Sequence, residues 1–138
     1  MESGKLKLNS VLMELDMLLL ALYKIHTTLK LVLAGSKPLW CPLQGTWPGR
    51  VLCKQKGTTG NTAYGDNQII KQELNFEQGT LIFFVDGVQQ PVYISGIKEK
   101  VRFFVCMYDA GSQCTIRSLQ KLTSPTSEHI PNEKAINW

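Results

Sequence analysis

The feature that most constrains this chain is a series of short apolar segments, punctuated by turns, running from Gln68 to Leu119. Ile70, Gln72, Leu74 and Phe76 alternate with Ile69, Lys71, Glu73 and Asn75, a period of two that belongs to a strand with one wet face. After the turn Glu77-Gln78-Gly79, the run Thr80 to Val85 (TLIFFV) is β-branched or aromatic on both faces, as in a strand covered on both sides. Asp86-Gly87 then marks a hairpin, because this pair accepts the positive φ angles of a two-residue turn. The return segment Val88 to Ile94 contains Pro91, which has no amide donor and belongs at a sheet edge or a bulge. Val101 to Tyr108 and Gln113 to Leu119, separated by the turn Asp109 to Ser112, complete five short strands. Such a series predicts an antiparallel sandwich or barrel.

Ahead of this series the pattern changes. From Leu6 to Leu33, residues such as Leu8, Val11, Leu15, Leu18, Leu22, Ile25 and Leu29 recur at spacings of three and four, which predicts one amphipathic helix over residues 1–35. Gly35 and Pro38 supply its stop. Glu14, Asp16, Lys24 and Lys30 interrupt the apolar run and leave Met17 to Tyr23 as its longest uncharged stretch, far short of the roughly 20 residues a membrane span needs. The same acidic residues argue against a signal peptide. Residues 36–61, rich in Pro, Gly and Trp, read as irregular with one short strand near Val51 to Lys54. Residues 62–122 hold the strand series. Residues 123–138, with Pro125, Pro131 and little apolar surface, read as a polar flexible tail.

At this point the order of turns and strands resembles the later half of a SPRY domain. Over Thr62 to Leu119 the likeness rests on the pair Gly65-Asp66, an Asn-containing turn from Asn75 to Gly79, a G-x-L-x-F-F strand from Gly79 to Phe84, and the hairpin Asp86-Gly87. What this resemblance implies is a mainly β, antiparallel, concanavalin-like sandwich whose end loops bind short segments of a protein partner. It implies no catalysis. The loop between the last two strands contributes to that binding surface, which maps here onto Met107, Tyr108, Asp109, Ala110 and Gly111. Because a helix is expected where the early strands belong, the sandwich is expected to be incomplete on its N-terminal side. Its open strand edge then favours self-association.

The rest of the sequence bears on what the chain does not do. Its two histidines, His26 and His129, fall outside the strand series, so no Ser or Cys nucleophile has a base to converge with there. Cys41, Cys53, Cys106 and Cys114 show no metal-ligand spacing, so no metal and no cofactor is expected. With a net charge of +4 and no block of like charges, nucleic acid is not an expected partner. Reduced thiols and the lack of a leader point to a cytoplasmic protein. The expected function is therefore a non-enzymatic protein-protein interaction module that takes a protein or peptide ligand. The alternatives are association of the helix with a membrane, which is disfavoured, or with a partner, and a fragment detached from a larger multidomain protein, including an enzyme.

Overall fold

The computed structural model of the chain describes residues 11–12, 17–23, 29–34, 40–44, 50–53, 56–64, 67–99, 101–107 and 115–138. Among these residues every regular element is a strand: β1 (Val11–Leu12), β2 (Met17–Tyr23), β3 (Leu29–Ala34), β4 (Trp40–Gln44), β5 (Arg50–Cys53), β6 (Lys56–Thr59), β7 (Ile70–Asn75), β8 (Thr80–Val85), β9 (Val88–Gln89), β10 (Val92–Ser95), β11 (Arg102–Met107), β12 (Thr115–Lys121) and β13 (Lys134–Asn137). They form two sheets. One runs in the order β1-β11-β3-β4-β5-β6, the other β12-β2-β7-β8-β10-β13, with β9 paired to β8.

The helix expected over residues 1–35 is corrected by β1, β2 and β3. β2 lies between β12 and β7, with Leu20 opposite Leu119 on one side and Gln72 on the other. β3 lies between β11 and β4, with Leu31 opposite Val105 and Leu43. A leucine-rich stretch satisfies helical spacing almost by default, and pairing on two sides decides the outcome. Met17 to Tyr23 is a continuous seven-residue apolar run, the length of a strand in a sheet interior rather than of a helix. Leu29 to Ala34 (LKLVLA) places Leu29, Leu31 and Leu33 at a period of two. The residues ahead of Thr62 thus supply six strands, where a missing front was expected.

The segments read as strands from Ile70 onward are strands. In β7, Ile70, Gln72 and Leu74 face the core and Lys71, Glu73 and Asn75 the opposite side. In β8, Leu81, Phe83 and Val85 are buried in the core, and Phe84 is only 4% exposed on the other face. Asp86 (φ 48°) and Gly87 (φ 81°) both take left-handed conformations, which closes the hairpin. Pro91 interrupts the return segment and separates β9 from β10. Gly79 takes a left-handed φ of 66°, and it is required for a second reason: a Cβ there would lie 2.6 Å from the carbonyl oxygen of Ile97, whose amide donates to the Gly79 carbonyl at 3.0 Å.

The sheets share one core. Val51 and Cys53 of β5 cluster with Ile70, Leu74, Leu81, Phe83, Val92 and Ile94 of the other sheet. One group in it is out of place. Gln72 is fully buried, and among the described residues neither its amide nitrogen nor its amide oxygen has a hydrogen-bond partner. Leaving such groups dry costs about 1–3 kcal/mol. Gln72→Met keeps the volume and removes both orphan atoms, so its expected result is a gain of about 1–3 kcal/mol in chemical denaturation. A loss of stability would show that Gln72 is satisfied in solution.

Two further expectations are corrected at the C-terminus. The sheets are not purely antiparallel, because β13 pairs with β10 in parallel, Val92 opposite Lys134 through Ser95 opposite Asn137. The segment read as a flexible tail is docked. From β12 it runs to β10 at the other side of its sheet, held by buried Glu73 and ending with Trp138 against the core. Hydrogen bonding to a buried carboxylate supplies what its composition lacks in apolar surface.

Candidate functional site: the loop end of the sheets

Strand register determines which connections meet. In the seven-stranded sheet, Ile70 lies opposite Leu22 and Val85, and Thr115 lies opposite Tyr23. In the six-stranded sheet, Met107 lies opposite Leu29, Lys30 opposite Gln44, and Arg50 opposite Gln44 and Thr59. Three connections pass between the sheets from these strand ends: Tyr23 to Leu29, Thr59 to Ile70 and Met107 to Thr115. Together with the β4–β5 connection and the Asp86-Gly87 hairpin, they leave one and the same end of the molecule.

Part of this end is held rigidly. The buried Asn61 acts as a strand residue toward β10, its amide oxygen accepting from the Val92 amide at 2.7 Å and its amide nitrogen donating to the Val92 carbonyl at 3.1 Å. Gln90, also buried, accepts from the Thr62 amide at 2.6 Å and donates to the Val88 carbonyl at 2.9 Å. Asp86 accepts from the Ile69 amide and from the Gln68 side chain, each at 2.8 Å. The Ile69 amide, and then Gln68, hold the Asp86 carboxyl below the usual carboxylate range. The β6–β7 connection is therefore tied at three points, to Gln90 just after β9, to β10 and to the hairpin. Burial of Tyr64 pushes its phenol up and keeps it neutral.

Of the residues expected to bind a partner, Met107 ends β11 at this same end, in register with Leu29. Tyr108, Asp109, Ala110 and Gly111 lie outside the described residues. The connection they belong to enters β12 at Thr115, two strands from Ile70, or about 10 Å away at ordinary strand spacing. Met107 and Thr115, the described residues on either side of that connection, thus lie at the same end as the tied rim.

A second feature was not expected from the sequence. On the outer face of the seven-stranded sheet, the Glu73 carboxylate accepts from the Thr126 hydroxyl and amide, from the Ser127 hydroxyl at 2.6 Å and from the Ser127 amide at 3.1 Å. Burial raises its pKa, and the hydrogen bonds of Ser127 and Thr126 more than offset this, leaving the carboxyl below the usual range. Beside it, Lys71 Nζ donates to Thr126 at 2.9 Å and lies 3.8 Å over the Phe84 ring. The alternation in β7 contains a partial signal, since it sets Glu73 and Lys71 on one face. Nothing in the local sequence says that Thr126 and Ser127 come to meet them.

Next to this clamp is an open cleft of about 220 Å³, lined in part by Thr80, Ile82, Tyr93, Ser127, His129 and Glu133. His129 Nδ1 lies 2.8 Å from Glu133 Oε1, with the His129 side chain 97% exposed. Its volume falls below the roughly 300 Å³ at which small-molecule pockets begin. Among the described residues, no group of three His, Cys, Asp or Glu side chains is placed to hold a metal ion, and no helix is long and apolar enough to cross a membrane.

No protein-family model matches this sequence, and no curated protein matches it.

Proposed function

We propose that this chain is a non-catalytic protein-binding module of SPRY type, a two-sheet sandwich that holds a short peptide or loop of a protein partner at its loop end. The observation that carries this reading is the convergence of strand ends there, with the β6–β7 connection tied by Asn61, Gln90 and Asp86. A rim fixed before binding loses less conformational entropy on association, so more of the contact energy is realised as affinity. Met107 to Gly111 then supply the contact surface. Tyr108 offers rigid apolar area at small entropic cost, and Asp109 a charged acceptor. The strands found at residues 17–23 and 29–34 remove the motive for the alternative reading through an amphipathic helix.

A displayed peptide library selected on the purified full chain tests this. Enriched peptides are expected to lose at least ~10-fold in affinity against Tyr108→Ala and against Asp109→Lys, each with an unchanged melting temperature. Equal affinity for wild type and both variants contradicts the assignment of the site. Failure to enrich any peptide contradicts the function.

A further inference from the structure

We propose that residues 126–138 form an exchangeable arm through which two copies of this chain associate, the arm of each docking on β10 of the other.

Three observations lead there. First, the arm is a unit. It has its own turn, with His129 Nδ1 and the Ile130 amide both at the Glu133 carboxylate and Asn132 at φ 62°. Second, its remaining hydrogen bonds go to the sheet body. Thr126 and Ser127 donate to Glu73, and the Glu128 amide and carbonyl pair with the Gln89 side chain at 3.0 and 2.6 Å. The Lys134 and Trp138 amides donate to Pro91 and Ser95 of the β10 edge at 2.7 and 2.8 Å, and the Trp138 indole donates to Glu99 at 2.7 Å. The Cys53 thiol donates to the Asn137 carbonyl at 3.7 Å. Third, the link to β12, Leu122 to Pro125, is short and largely uncovered, since Thr123, Ser124 and Pro125 are all exposed.

The arm is held mainly through backbone and polar bonds. Lys134, Ala135 and Asn137 are exposed, and Ile136 and Trp138 are only partly buried against the core. Undocking therefore uncovers little apolar surface of the arm itself. It does uncover the edge of β10, whose backbone groups then need another strand. The partner that supplies every lost bond is the same arm from a second copy, because it brings the same residues in the same parallel register. Within one chain the short link holds the arm near its own sheet at an effective concentration on the order of millimolar, so exchange emerges at high protein concentration or after partial melting. This surface lies on the sheet edge and outer face and does not depend on the loop-end reading.

Mixing two full-length variants tests it directly. Ser95 and Asn137 are register partners, and the Ser95 hydroxyl lies 3.4 Å from Asn137 Oδ1. Ser95→Cys and Asn137→Cys chains are mixed at about millimolar concentration, warmed into the foot of the melting transition, cooled, and treated with a short bismaleimide. The 95–137 linkage is then identified by peptide mass mapping, so adducts of the native cysteines do not count. The expected product has twice the 15.5 kDa chain mass, carries the 95–137 linkage and is absent from either variant alone. The double variant closes the same linkage within one chain. If the double variant closes while the mixture stays at single-chain mass, exchange does not occur. If the double variant does not close, the arm is not docked on β10 and the proposal falls with it.

Discussion

Removing residues 1–34 is expected to abolish the cooperative unfolding transition of the chain. β2 has a register partner at six positions in β12 and at six in β7, and β3 at six in β11 and at five in β4, so this deletion takes an interior strand out of each sheet. With β1 also gone from β11, five newly opened edges would present unpaired backbone groups, and the total loss exceeds the ~5–15 kcal/mol that stabilises a whole domain. Thermal melting followed by near-UV dichroism reads the result. A truncated chain that still melts cooperatively would show that the leucine-rich start is a passenger on an independent β unit.

The second large effect belongs to Glu73. Glu73→Ala removes the common acceptor of Thr126 and Ser127 and is expected to cost about 3 kcal/mol in chemical denaturation. The same carboxylate makes stability depend on pH. Because the folded chain holds Glu73 below the usual carboxylate range, its contribution is fully present above the unfolded value of about 4.3 and is lost as pH falls through the lower folded value. Asp86 and Glu133 are also shifted down, so the wild-type profile alone does not isolate Glu73. Glu73→Gln does: its denaturation midpoint is expected to fall less than that of wild type between about pH 7 and about pH 3. Parallel profiles would mean that the clamp is not formed in solution.

How much of this was legible in the sequence depended on whether a segment's partner was local. β7, β8 and the Asp86-Gly87 turn are neighbours in sequence and in the sheet, so alternation and turn chemistry were sufficient to place them. Pro91 marked the break between β9 and β10 for an equally local reason. β2 failed because its partners lie 48 to 103 residues away, and β3, although β4 follows it directly, because its other partner lies 68 to 78 residues away and the apolar spacing of leucines fits both periods. The terminal arm failed for the opposite reason. Its composition is that of a disordered segment, and its docking rests on a carboxylate more than fifty residues upstream, the Ser127–Glu73 bond spanning 54 positions. The turn expected from Asp109 to Ser112 lies outside the described residues, and the rim at the loop end rests on Asn61 and Gln90, whose roles follow only from register.

The central claim is that the leucine-rich start is not a helix but two interior strands, which complete the sheets that form the loop end. Backbone Cα and Cβ chemical shifts of residues 17–34 in the full chain, with cross-strand contacts, test it most directly. Strand shifts over Met17–Tyr23 and Leu29–Ala34, with contacts between Leu22 and Ile70 and between Leu31 and Val105, are the predicted result. Unbroken helical shifts from Leu18 to Leu29 would contradict it.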